Sequence, residues 1–329
     1  MSKARLFAAF VCVIVTGASS VAIAQGFAKP LPLDRTVPRE RELYARLRIQ
    51  ERYGIAFRPY ATVCNDRRHG VANCLARIIT DERGVPLSFG GTNADIEGYG
   101  PRDLRAAYDV PGVAPGRPII GIVDAYGYST ALSDLRVYSR QFKLPMLPKC
   151  KGSVADSPKA CLQIVNEKGG KKLPTTEDAG WAAEQAIDLQ MAHALCENCS
   201  ILLVEANTNG DGDLFPSIIT AAKLGANAIS NSWVGSEQAG DTGVDHSYLT
   251  HPGVVITAGT GDHGYAAGVS YPASSPNAVG VSGTSLSYQP MERSTAAKWP
   301  GRETAAVAPR SRPARPGSRR CPGARTTAP

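Results

Sequence analysis

Gly180-Trp-Ala-Ala-Glu-Gln-Ala-Ile-Asp-Leu-Gln-Met-Ala-His-Ala-Leu195 decides how the rest of the chain is read. Ala182, Ala183, Ala186, Ile187, Leu189, Met191, Ala192, Ala194 and Leu195 make it a strong helix former, apolar on nearly every face, as in a helix enclosed by a larger protein. Glu184 and Asp188 are spaced to lie on one face, one turn from each other. On an ordinary helix such a pair is a solvated face. On a helix this apolar it points to a site, because burial of two like charges makes one carboxyl hold its proton more tightly than the other. A general base and the group that orients it can be made that way.

The surrounding sequence alternates strands and helices. Residues 118–123 (closed by Asp124), 161–165, 200–205, 226–232, 253–259 and 278–282 read as short buried strands. Residues 129–142, with Ser129 or Thr130 available as cap, and 213–224, ended by Gly225, read as helices. Continuous apolar strands between helices predict an α/β fold, a parallel sheet covered on both faces. In such sheets the working residues gather beyond the carboxyl ends of the strands. Asp124, Ser230-Asn-Ser-Trp-Val-Gly235 and Thr257-Ala-Gly-Thr-Gly-Asp-His-Gly264 fall there.

The two ends of the chain differ from this body. Lys3 and Arg5 precede the apolar run 6–15, and Ala22-Ile-Ala24 is a small-residue cleavage site, so residues 1–24 are expected to be a signal peptide cut after Ala24. That predicts export to an oxidising compartment, with no membrane span in the mature form. Cys64, Cys74, Cys150, Cys161, Cys196 and Cys199 are then expected as disulfides. Proximity favours Cys64–Cys74, Cys150–Cys161 and Cys196–Cys199. A zinc site of His193, Cys196 and Cys199 is the weaker alternative, since no second ligand pair is visible. The net charge of +7 belongs to the ends: the tail from Arg302 holds seven Arg against Glu303, and the body is close to neutral. Nucleic acid is therefore not an expected partner.

Residues 25–98 read as a lead-in, a short propeptide or a capping segment. Within it, 37–53 is helix-prone, 73–80 is a strand closed by Cys64–Cys74, and 88–100 is a linker. No chemistry is expected there, and His69-Gly70 lacks any accompanying catalytic pattern.

The ordered set Tyr99-Gly-Pro-Arg-Asp-Leu-Arg-Ala-Ala-Tyr108, Ile122-Val-Asp-Ala-Tyr126, the Glu184/Asp188 helix running into Cys196-Glu-Asn-Cys199, Ile201-Leu-Leu-Val-Glu-Ala206, Ser230-Asn-Ser-Trp233, Gly261-Asp-His-Gly264 and Tyr271-Pro-Ala-Ser-Ser-Pro276 resembles the sedolisin family of serine-carboxyl peptidases. The resemblance covers about residues 99–286 and implies a subtilisin-like fold over 99–290, incomplete at the C-terminus. It implies an exported endopeptidase working at acid pH on a polypeptide substrate, as a monomer. Glu184 would be the general base, Asp188 its orienting partner, and Asp262 a protonated oxyanion-hole donor. Ser232, Trp233 and Gly235 would line the substrate, with Trp233 equally readable as core. Asp124 is read as a supporting or structural acid.

The nucleophile does not follow. Gly283-Thr-Ser-Leu286 resembles the family's earlier Gly-Thr-Ser-Leu rather than the one that carries the catalytic serine, because Leu-Ser-Tyr-Gln-Pro290 after Ser285 does not open a helix. Residues 291–329, rich in Pro, Arg, Ala and Gly, read as a disordered tail, expected from a reading-frame change that replaced the serine segment. A frame of the gene past Met291 that restores a second Gly-Thr-Ser would support this. The family's calcium loop belongs to that same segment, so no metal and no cofactor are expected here. The alternative to an active peptidase is a catalytically dead relative that binds peptide.

Overall fold

The runs Ile119–Ala125 and Ser200–Ala206, apolar and buried on both faces, pair side by side in parallel within a sheet covered on both sides. The computed structural model describes residues 60–64, 68, 70–80, 99–262 and 268–283. The expected signal peptide, the helix-prone stretch at 37–53, most of the linker, Ser285 and the tail lie outside these. In chain order the elements are β1 (Tyr60–Thr62), β2 (Asn73–Cys74), β3 (Arg77–Ile79), α1 (Pro101–Ala107), β4 (Ile119–Ala125), α2 (Ala131–Gln141), β5 (Leu162–Asn166), α3 (Ala179–Leu195), β6 (Ser200–Ala206), α4 (Asp211–Lys223), β7 (Ala228–Asn231), β8 (Trp233–Val234), α5 (Asp241–Tyr248), β9 (Val255–Gly259) and β10 (Val279–Val281).

The main sheet has six strands in the order β10-β9-β7-β4-β6-β5, all parallel. Strand β6 shows how its two faces are used. Leu202 and Val204 pack with Leu214, Phe215, Ile218 and Ala221 of α4, while Ile201 and Leu203 pack with Leu135 of α2 and Ala186 and Leu189 of α3. Each of those four β6 side chains is fully buried, worth about 1.5–3 kcal/mol apiece in area removed from water. The fold is thus α/β, a parallel sheet with helices on both faces.

Helix α3 begins where Asp178 accepts hydrogen bonds from the N–H groups of Gly180 (2.9 Å) and Trp181 (3.0 Å). At α2 the expected cap differs: Thr130 makes no side-chain cap bond, and its hydroxyl donates to Asp134 at 2.6 Å. Helix α4 ends at Gly225, whose φ of +96° suits glycine. The stretch 73–80 is not one strand. Its ends pair with different partners, β2 with β8 and β3 with β1. The disulfides are Cys64–Cys74, Cys150–Cys161 and Cys196–Cys199. With both sulfurs bonded to each other, Cys196 and Cys199 are not zinc ligands, and the Nε2 of His193 bonds to the carbonyl of Pro145 at 2.7 Å. Among the described residues, no helix is long and apolar enough to cross a membrane.

Candidate active site at the carboxyl edge of the sheet

Parallel pairing of β4 with β6 places Asp124 directly beside Glu205 at the carboxyl edge. Helix α3, packed over the same edge, adds Glu184 and Asp188. Four carboxyl groups therefore meet there, from two strand ends and one helix. Asp124 and Glu205 are fully buried and Glu184 is 4% exposed. Both oxygens of Asp124, Oδ2 of Asp188 and Oε2 of Glu205 have no hydrogen-bond partner among the described residues.

Burial pushes all four carboxyls toward their neutral forms. Asp124 is raised well above the usual range, first by burial and then by the charges of Asp188, Glu184 and Glu205. Glu184 is raised by burial and by Asp188, against the opposing effect of two backbone N–H groups. Asp188 is pushed up to about 7 by burial, opposed by a hydrogen bond from Ser232. Glu205 also reaches about 7, again through burial, although the N–H of Tyr128 donates to its Oε1 at 3.0 Å.

The groups touching these acids come partly from unexpected places. Ser232, expected against substrate, donates its hydroxyl to Asp188 Oδ1 at 2.8 Å. Trp233 has its ring in the core, 1% exposed, with Nε1 donating to the carbonyl of Val123 at 3.0 Å and its edge toward Phe215. Only its backbone is at the site, paired with Cys74. Gly235 is held in a two-way backbone pairing with Tyr271. Beyond it lies a cavity of about 270 Å³ lined by Asp211, Phe215, Trp233, Asp241, Tyr248 and Tyr271.

The lead-in, read from sequence as without chemistry, supplies the closest contacts to the acid pair. Glu184 Oε2 accepts the N–H of Leu75 at 2.7 Å and that of Ala76 at a shorter distance. Arg77 forms an ion pair with Asp262 (2.9 Å) and also donates to its carbonyl, while lying over the ring of Tyr60. The oxyanion role expected of Asp262 needs its carboxyl to donate a hydrogen bond, and here it accepts one. Nothing in 70–80 announces the contacts to Glu184 and Asp262 locally, since each reaches a residue more than a hundred positions away. A disulfide-closed strand opposite an acid-bearing helix is the one signal that could have found them.

Compared with solved structures, the chain is similar to a Pseudomonas sedolisin, a serine-carboxyl proteinase complexed with two molecules of pseudo-iodotyrostatin. The two share 21% identity over 59% of this chain and 56% of that one, with a TM-score of 0.46. This chain therefore spans little more than half the length of that structure. No protein-family model and no curated protein matches it.

Proposed function

We propose that this chain is an exported peptidase of the serine-carboxyl type, hydrolysing polypeptides at acid pH, with Glu184 as general base and Asp188 as its positioning partner. The observation that carries this is the buried pair itself: two carboxyls one turn apart, both raised by burial, beside the strand-end loop that holds Asp262. Burial and mutual repulsion keep the two carboxyls from ionising together, so the pair passes through a singly charged state in which one carboxyl serves as base and the other is neutral. A base oriented by a neutral neighbour can then take a hydroxyl proton during acyl transfer. Asp262 is assigned to the oxyanion, a role for which Arg77 must first release it. Activity is expected to fall as pH rises through about 7, where Asp188 and Glu205 ionise and charge accumulates at the edge.

The test is hydrolysis of denatured casein at pH 4 and pH 7 by the mature chain. Glu184→Gln should lower the rate by about 10²–10⁴-fold. Hydrolysis indifferent to that change would remove Glu184 from the mechanism. A second reading, a peptide-binding relative that does not hydrolyse, is favoured by Leu-Ser-Tyr-Gln-Pro290 after Ser285. Absence of cleavage at either pH in a folded sample would select it, and Ser285→Ala decides whether that serine contributes.

A further inference from the structure

The cavity beyond Gly235 is walled by rings and overlooked by acids. Phe215 gathers the rings, with centroids 5.4 Å from Trp233, 5.8 Å from Tyr248 and 5.7 Å from Tyr271. Phe215 and Trp233 are buried and make its floor. Asp211 and Asp241, the first residues of α4 and α5, line the same space. A carboxylate in the first turn suits the helix dipole, which accounts for each acid singly. It does not account for two helices opening onto one cavity, nor for the field the acids make there. Burial and then the charge of Asp241 raise Asp211 above the usual carboxylate range, against a hydrogen bond from Gln238. The Tyr271 hydroxyl donates to Asp245 Oδ1 at 2.9 Å. Its pKa is pushed up by burial and by that bond, then by the charges of Asp245, Asp241 and Asp211. Three acids therefore act on one ring of the cavity wall. Among the described residues, no lysine or arginine forms an ion pair with Asp211 or Asp241.

A neutral donor meets them instead. The exposed Gln238 donates its backbone N–H to Asp241 Oδ2 (2.8 Å) and its side-chain Nε2 to Asp211 Oδ2 (3.2 Å), so one residue bridges both acids. Two N–H groups presented to two carboxylates is a pattern that a guanidinium reproduces with charge added. The cavity, about 270 Å³, is smaller than the roughly 300–1,000 Å³ of a site for a drug-sized ligand, and suits one long side chain. Aromatic walls favour a planar, weakly hydrated cation over a compact ammonium. The cavity also adjoins the acid edge, since Trp233 lines it and the preceding Ser232 bonds to Asp188. We propose that this cavity receives an arginine side chain of the bound polypeptide, with its guanidinium against the rings and its N–H groups on Asp211 and Asp241 in place of those of Gln238. This rests on the peptidase reading and deepens it by naming a side chain that the protein selects.

The probes are fluorescein-labelled heptapeptides of alanine with arginine, lysine or glutamine at the centre, titrated by anisotropy into the full chain at pH 7. The arginine peptide should bind about tenfold more tightly than the glutamine peptide, with lysine between them. Asp211→Asn/Asp241→Asn, which keeps the shape of both side chains, should abolish that preference and leave affinity for the glutamine peptide unchanged. Tyr248→Leu, at a half-buried ring, should cut the preference severalfold and serves if the double variant does not fold. Equal binding of the arginine and glutamine peptides, or no binding of either, overturns the proposal. A preference that survives these substitutions overturns it as well. Because binding needs no nucleophile, arginine-selective binding without casein hydrolysis sinks the peptidase reading alone. Casein hydrolysis with no preference for arginine sinks this proposal alone.

Discussion

The two ends of the same parallel sheet are finished in opposite ways. At the amino ends two neutral amides tie the backbone together, beside the half-buried ion pair of Arg105 with Glu197. Asn227 accepts from Ile119 N–H at 2.8 Å, and Asn198 accepts from Ala114 N–H while donating to the carbonyls of Ala114 and Gly116. The Cys196–Cys199 bridge closes the turn that presents Asn198. At the carboxyl ends Asp124, Glu205, Glu184 and Asp188 are crowded together, and four of their oxygens lack partners among the described residues. A structure optimised only for stability would not bury acids this way, since each is forced off its ordinary pKa. The amino edge is finished for stability and the carboxyl edge for chemistry.

The largest effect is expected in the layer both ends share. Leu203, fully buried between β6 and the helices α2 and α3, should cost about 2–5 kcal/mol on Leu203→Ala. That loss should be the same at pH 4 and pH 7 in urea unfolding, because no titrating group is touched. It is the reference for the carboxyl edge, where pH should matter. There the folded-state pKa values lie above the unfolded ones, so the native state binds more protons. Stability is therefore full below about pH 4 and declines as pH rises through about 7, the value for Asp188 and Glu205. Asp124→Asn removes the acid with both oxygens unpartnered. It should stabilise by roughly 1–3 kcal/mol at pH 7, change little at pH 4, and flatten the pH slope. Equal destabilisation at both values would show that Asp124 holds the edge together instead of straining it.

Much of this contrast is legible in the sequence, and the remainder is hidden for physical reasons. The β4, β6 and β9 strands are continuous apolar runs, and the Glu184/Asp188 face follows from helical spacing alone. The disulfides join cysteines at most 11 positions apart, so proximity was a sound guide. Helix α5 was not legible: Asp-Thr-Gly-Val-Asp-His-Ser-Tyr has no apolar stripe, and none of its residues is buried. Helix α1 carries its signal in Pro101 at the first turn, but seven residues are too few for a periodic face to show. The expected strand 73–80 is interrupted because Leu75 and Ala76 turn their amides to Glu184. That preference lives in a distant helix and is invisible in a local window. Trp233 belongs to the core for a similar reason: its indole N–H finds a carbonyl of β4.

The smallest effect belongs at the quiet end, and it decides whether the contrast is real. Asn198 ties the turn after α3 to the approach to β4 through one accepted and two donated hydrogen bonds. Asn198→Ala leaves the N–H of Ala114 and the two carbonyls without that partner, though solvent can reach part of this half-buried site. The expected loss is about 1–2 kcal/mol, near the middle of what such bonds contribute. It should be identical at pH 4 and pH 7, because the amide does not titrate. It should also leave casein hydrolysis unchanged, because the amino ends face away from Glu184. A pH-dependent loss would mean that the two edges are coupled through β4 and β6. The division of labour between them would then fail, and the acids at the far edge would have to be counted as part of the same structural network.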